Sequence, residues 1–317
     1  MFRPQIKVLD CTIRDGGLIN NHKFDNRFVG EVYKALSAAG VDYMEMGYKN
    51  SSELFSPTNY GAWKFCDDND ICHIVGNNEK GPKLAVMVDV DRVKLDDVKP
   101  KSESPVSMIR TAAYVKDIDK AINMTNHFSE KGYETTINIM AISKDKGPEL
   151  DDALRQIEQE CKVDVVYIVD SFGNLYQESV ESIIKRAKKI LKTKEIGFHG
   201  HNNQQLAFSN TIEAIIHGAN YLDATVYGIG RAAGNCTLEL LIGFLKNPKF
   251  NIRPVLDLIS KEFIPLRSKI EWGYIIPYAI SGMLNEHPRA AMALRKGEEK
   301  ENYSKFFESL TNTGLDL

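Results

Sequence analysis

The chain has 317 residues, 43% of them hydrophobic and 26% charged, with a formal net charge of −3. This is the composition of a soluble globular protein with a sizeable core, and its slightly acidic balance excludes nucleic acid as the main partner, because phosphate binding needs a concentrated basic surface. No stretch approaches the roughly 18 consecutive apolar residues of a membrane span, and the N-terminus lacks a signal-peptide apolar core, so no membrane contact and cytoplasmic residence are the expectations.

Short runs rich in β-branched residues recur along the chain. In order they are "IKVLDCT" (6–12), "VDYMEMGY" (41–48), "KLAVMVDV" (83–90), "SMIRTAAY" (107–114), "ETTINIMAI" (134–142), "VDVVYIVDS" (163–171), "EIGFHGH" (195–201) and "YLDATVYG" (221–228). Several are almost continuously apolar, as strands buried on both faces should be. Between them, segments such as "NRFVGEVYKALSAAG" (26–40) and "VESIIKRAKKILKTK" (180–194) space apolar residues three and four apart, the helical period. After Asn247 the pattern changes to helices punctuated by Pro254, Pro265, Pro277 and Pro288, with no further strand. The five cysteines, Cys11, Cys66, Cys72, Cys161 and Cys236, are scattered and lack the close pairs of a structural zinc site, so they read as reduced thiols, mostly buried.

Alternating strands and helices give parallel strands joined by right-handed crossovers, in either an open doubly wound sheet or a closed eight-fold barrel. Eight strands favour the barrel. The open sheet also wants a glycine-rich G-x-G-x-x-G turn after its first strand, whereas Gly16 and Gly17 are adjacent. The expected fold is therefore α/β, a (β/α)8 TIM barrel over 1–247 with a short C-terminal helical appendage over 248–317.

Such barrels carry their reactive groups at the carboxyl ends of the strands. Those ends hold Arg14 and Asp15, Glu45 and Tyr48, Asp89 and Asp91, Arg110, Asn138, Asp170 and Ser171, His199 and His201, and Tyr227 and Arg231. Residues i and i+2 of a strand share a face, so His199 and His201 both point to the barrel axis with Gly200 outward. With Asp15 they make two imidazoles and one carboxylate, a facial set for a catalytic divalent ion. Arg14 is suited to steady an oxyanion beside that ion, Gly16 and Gly17 to a tight turn next to the ligand, and Asn202 and Asn203 to capping the following helix. Together with Arg14, the polar strand-end residues Glu45, Asn138 and Asp170 are the expected substrate contacts.

Four motifs, "LDCTIRDGG", "GVDYMEMGY", "GFHGHNNQQLA" and "GIGRAAGNCTLELLI", occur in order over Ile6 to Leu245. Together they resemble the metal-dependent lyase and acyl-transferase barrels that include isopropylmalate synthase and hydroxymethylglutaryl-CoA lyase, and within them the 4-hydroxy-2-oxovalerate aldolases. The resemblance implies Asp15, His199 and His201 as metal ligands, Arg14 as the group steadying an enolate oxygen, and Asn235 as a group behind the ligands. It implies manganese or magnesium, with zinc and cobalt still open. The implied reaction is cleavage of a 4-hydroxy-2-oxo acid to pyruvate and an aldehyde.

The chain departs from those aldolases at Leu18, where they carry a histidine suited to take the substrate's 4-hydroxyl proton. His22, read as part of a loop over the mouth, is the nearest replacement, and Tyr274 resembles a tyrosine that the aldolase tail brings to the site. Two alternatives remain: a Claisen-type acyl transferase of the isopropylmalate synthase kind, and a catalytically weakened barrel acting as an assembly partner. The resemblance further leaves open a homo-oligomer and a partnership with an aldehyde dehydrogenase.

Overall fold

The computed structural model describes residues 3–145 and 147–311. Eight parallel strands close into a barrel in sequence order: β1 (Lys7–Asp10), β2 (Tyr43–Tyr48), β3 (Lys83–Asp89), β4 (Met108–Ala113), β5 (Glu134–Ile139), β6 (Val165–Asp170), β7 (Glu195–Gly200) and β8 (Tyr221–Ala224), with β8 pairing back to β1. Each expected strand is present. Two end earlier than their apolar runs: after β1 the chain enters a helical turn, α1 (Thr12–Gly16), and after β8 a 3-10 turn at Val226–Gly228.

The crossover helices are α2 (Asn26–Ala39), α3 (Asp68–Val75), α4 (Ile118–Glu130), α5 (Pro148–Glu160), α6 (Gln177–Ile190), α7 (Ala207–His217) and α8 (Leu238–Leu245). Local signals set their ends. In α2 the Asp25 carboxylate accepts from the Phe28 amide, and Gly40 closes the helix at φ 72°. The Asn202 side chain accepts from the Ala207 amide at the start of α7, as expected, whereas Asn203 is buried without a hydrogen bond.

Two apolar layers result. The larger lies between strands and helices, where Val29, Val32 and Leu36 of α2 join Val8 and Met44 in one cluster. The smaller fills the barrel axis with Leu9, Cys11, Tyr43, Ala85 and Met108. Above it the Tyr167 ring lies across the axis because Gly197 leaves room: a Cβ there would fall 2.6 Å from ring carbons. All five cysteines are free thiols, and only Cys72 is exposed.

Among its described residues the C-terminal segment has helices and no strand: α9 (Arg253–Leu258), a π-helical turn at Ile259–Phe263, α10 (Ile264–Arg267), α11 (Ile276–Met283), α12 (Arg289–Lys296) and α13 (Tyr303–Thr311). Pro254, Pro265, Pro277 and Pro288 all mark helix starts, in the first turns of α9, α10 and α11 and at the N-cap of α12. The segment packs in two parts. Val255, Leu258, Ile259 and Phe263 join the main core, whereas Tyr278, Ile280, Ala291 and Phe306 form a second cluster with Ala232 and Ala233 of the loop after β8. No described helix is long and apolar enough to cross a membrane.

Substituting Gly197→Ala should overpack the axis and lower stability by about 1–3 kcal/mol. Urea unfolding followed by circular dichroism measures this, and an unchanged midpoint would contradict the packing described.

Candidate metal centre and cavity

The site begins with the turn that follows β1. Asp10 accepts from the Thr12 amide (3.0 Å) and hydroxyl (2.7 Å), and the Thr12 hydroxyl in turn accepts from the Val226 amide (2.8 Å). These bonds tie α1 to the β8 loop and fix Arg14 and Asp15 at the mouth. Gly16 and Gly17 adopt ordinary helical angles rather than a tight turn. Gly17 is needed for room instead, since a Cβ there would sit 2.2 Å from His22 Nδ1.

Asp15, His199 and His201 do come together. Each His Nε2 lies near the same carboxylate oxygen of Asp15, at 3.8 Å for His199 and 3.9 Å for His201, and all three side chains are buried. Two ligand bonds of about 2.1 Å span such a gap. Neither Asp15 oxygen accepts a hydrogen bond, although both are inaccessible to solvent. A buried carboxylate left so is costly unless a cation meets it, so the donor set fits a divalent ion.

The protonation states agree. Burial pushes the Asp15 carboxyl up, but Arg14, His201, His199 and Arg231 outweigh it and hold it well below the usual range. Burial foremost lowers His201 to about 3 against the opposing pull of Asp15, leaving a neutral ring with a free lone pair. His199 Nδ1 lies 2.8 Å from Asp223, whose carboxyl is held at about 2, with burial overcome by Arg110 and His199. That carboxylate accepts a hydrogen bond from Nδ1–H and so turns the Nε2 lone pair to the site. Cys11, His199 and Asp223 form a second cluster of possible ligands, but Asp223 is already engaged by His199 and Arg110, and burial pushes the Cys11 thiol up.

Behind the site a polar chain crosses the barrel. Arg14 Nε donates to Glu45 (2.6 Å), Arg110 lies 3.0 Å from the other Glu45 oxygen, and Arg110 also donates to Asp223 (2.6 Å). The face of Tyr167 lies 4.5 Å from the Arg110 guanidinium.

The mouth opens into a cavity of about 450 Å³ lined by Arg14, Asp15, Asn138, His199, His201 and Arg231, with further residues from the β2–β4 loops and the tail. Within the range of small-molecule sites, this is more room than a five-carbon acid fills.

Several expected contacts fall elsewhere. Glu45 does not line the cavity; it is fully buried and positions Arg14. Asp170 accepts from the Asn174 and Leu175 amides and so shapes the loop after β6. Tyr274 is 49% exposed, outside the cavity walls, because the tail brings His287 and Arg289 to the mouth instead. His22 lies behind the wall rather than over the mouth. Its φ of 59° turns the ring inward beneath Gly17 and edge-on to Tyr48 (centroids 5.4 Å apart), where burial foremost lowers it to about 3. Asn235 donates to the Ile229 carbonyl (3.0 Å) and bridges to His201 through its backbone, with its Oδ1 buried and unpartnered.

Other cavity residues escaped the sequence reading. Lys64 sits in a loop without a motif, and His287 and Arg289 flank Pro288 in the tail. Asp223 did leave a signal: it is a carboxylate at an inward position of an otherwise apolar strand.

Fold and site together define the class, a TIM barrel with a candidate divalent-metal centre at the carboxyl ends of its strands. The sequence model of the HMGL-like family matches residues 5–261, and the chain belongs to that family. A 4-hydroxy-2-oxovalerate aldolase of Thermus thermophilus is 30% identical over 253 residues, covering 80% of this chain and 72% of that protein. The crystal structure of the N-terminal domain of a candidate aldolase from Bacteroides vulgatus superposes with a TM-score of 0.78 at 29% identity, covering 94% of this chain and 100% of that one. The HMG-CoA lyase of Brucella melitensis shares the fold, with a TM-score of 0.67 at 14% identity over 83% of this chain and 99% of its own.

Replacing the residue that orients His199, Asp223→Asn, should weaken manganese binding by about 10- to 100-fold. Calorimetric titration measures it, with circular dichroism as the check on folding; unaltered affinity would remove Asp223 from the site.

Proposed function

We propose that the protein is a divalent-metal-dependent aldolase that cleaves a 4-hydroxy-2-oxo acid to pyruvate and an aldehyde. The observation that carries this reading is the meeting of Asp15, His199 and His201 beside Arg14 in one cavity, in a chain 30% identical to a 4-hydroxy-2-oxovalerate aldolase. The three side chains would hold a divalent ion, manganese or magnesium by resemblance to the related aldolases, although two imidazoles and a carboxylate also suit zinc or cobalt. When bound, such an ion supplies Lewis acidity toward the oxygens of a 2-oxo acid.

The chain's own groups do the rest. Arg14, held by Glu45, presents a fixed guanidinium where negative charge develops on the former keto oxygen. Asn138 lines the cavity, and its Oδ1 accepts from the Thr136 hydroxyl (2.6 Å), which leaves the amide N–H groups for substrate. With Leu18 on the wall, the 4-hydroxyl proton needs another acceptor, and we assign it to Asp89. This carboxylate lines the cavity outside the metal set, is 17% exposed, and has its pKa raised by burial against Arg92 and Lys64. A raised carboxylate is the better base near neutral pH. Loss of that proton to Asp89 turns C4 into the aldehyde carbon as the C3–C4 bond breaks. The bond pair remains on C3, and return of the proton from Asp89 to C3, directly or through solvent, completes the methyl group of pyruvate and leaves Asp89 ionised again.

With manganese and 4-hydroxy-2-oxovalerate the protein should release pyruvate, and Asp15→Asn or a chelator should stop it. Metal bound without pyruvate from any 4-hydroxy-2-oxo acid would overturn the reading.

Asp89→Asn should lower kcat by about 10²- to 10⁴-fold. Because the working base must be ionised and its pKa is raised, kcat/KM of the wild type should fall on the acid side from a pH above the ordinary carboxylate range. A matching acid limb in Asp89→Asn would assign the base to another group.

A further inference from the structure

Lys64, at the end of a 3-10 turn (Ala62–Lys64) between β2 and α3, is only 6% exposed, yet its side chain lines the cavity. Its ammonium lies over three rings, Tyr48 at 4.5 Å, Phe55 at 4.5 Å and Tyr60 at 5.5 Å. Aromatic faces favour the charged form and offset part of its desolvation, but they give three N–H donors no acceptor. Among the described residues Lys64 makes no ion pair with a carboxylate. The acid that acts on it, Asp89, is already engaged by Arg92 at 3.3 Å.

Arg92 adds a second positive charge at the same place. It lies 5.8 Å from the Phe55 ring, lines the same cavity, and repels Lys64. The neighbouring Asp91 is occupied by Lys120. Asp117 lines this end as well, so what sets Lys64 apart is not an excess of cations but that Asp89 pairs with Arg92 and Asp91 with Lys120, which leaves the Lys64 ammonium without an ion pair among the described residues. At the metal end Arg14 is committed to Glu45 and Asp15, while Arg231 has no acid partner among the described residues and lies beside Asp15. Between the two ends runs an apolar stretch of wall, Leu18, Met87, Ala112 and Met140.

We infer that the substrate carries two anionic groups: the 2-oxo acid carboxylate near the metal centre and Arg231, and a second carboxylate or phosphate on the aldehyde half, held by Lys64 and Arg92. This rests on the aldolase reading for the direction of the substrate. A carbon chain with an anion at each end matches a cation without an ion pair at each end, Arg231 and Lys64, separated by an apolar wall, and it uses room that a five-carbon monoacid leaves empty. It also gives the buried ammonium the acceptor it lacks.

Non-cleavable ligands separate this inference from the reaction, because without a 4-hydroxyl they bind and do not turn over. With manganese present, calorimetry should show 2-oxoadipate or 2-oxo-5-phosphonopentanoate binding about tenfold tighter than 2-oxohexanoate, the effect of one charge-assisted contact. Whichever of the two binds better identifies the anion as carboxylate or phosphate. Lys64→Met should erase the difference and Lys64→Arg should keep most of it. Equal affinity for all three ligands, or a preference that survives Lys64→Met, overturns the inference. Preferential binding of a charged ligand together with no pyruvate from 4-hydroxy-2-oxoadipate, 4-hydroxy-2-oxohexanoate or 4-hydroxy-2-oxovalerate would uphold the anion site and reject the aldolase.

Discussion

One buried chain of ionisable groups, Arg14–Glu45–Arg110–Asp223–His199, governs the mouth of the barrel. Each member is nearly or wholly buried, and taking a charge out of water costs several kcal/mol per ion even in real proteins. A pair in that position adds little to stability unless its geometry is good and its remaining donors are met. Here the alternation of sign along the chain supplies the pairing, while Arg110 Nε, Glu45 Oε1 and Asp223 Oδ1 keep no hydrogen bond. Removing any one member would strand the next as an uncompensated buried charge. The two ends of the chain, a guanidinium and an imidazole, are therefore fixed relative to each other across the barrel axis, although they come from the first strand's turn and the seventh strand.

That fixation turns a fold into a site. His199 receives its tautomer from Asp223, and Arg14 receives its orientation from Glu45, so both reach the cavity already aligned. Asp15 and His201 stand beside them without comparable hydrogen bonds, and their polar atoms converge on one point instead. Both Asp15 oxygens are buried without a hydrogen bond and face two imidazole nitrogens, an arrangement that a cation between them would satisfy. The tail contributes from outside. By packing on Ala232 and Ala233 it brings His287 and Arg289 over the mouth, and it thereby sets the shape of the cavity without supplying the metal set.

The barrel was legible because its signal is repeated. Eight apolar runs with helical patterns between them leave few topologies, and parity along a strand then settles that His199 and His201 share a face. The limits of the same logic appear at Glu45 and Asp170. Both stand on strands that lead to the mouth, but strand position does not reveal depth along the axis or which backbone amides a carboxylate will meet. Tyr274 was misplaced for a related reason: after the last strand no period ties the chain to the barrel, so the turn that admits His287 leaves no local pattern. Lys64 had even less to betray it. Its partners Tyr48, Phe55 and Tyr60 are aromatic, lie on one strand and one long loop, and become a cage only when that loop folds back over β2.

Leu18 gains its meaning from that cage. Read alone, a leucine where related aldolases are expected to carry histidine suggests a weakened enzyme. In the structure it belongs to an apolar cluster with Tyr48, Met87, Ala112 and Met140, set between the metal centre and the Lys64 end. A histidine here would place a polar ring in the middle of that wall, beside a carboxylate, Asp89, that already lies within reach of Tyr48 electrostatically. Leu18 and the Lys64 end thus belong to one arrangement. The middle of the cavity is apolar, its far end holds the ammonium of Lys64 without an ion pair, and Asp89 on the third strand supplies a base beside it. A cavity arranged in this way selects its ligand by the distance between charged ends as well as by the chemistry at the metal.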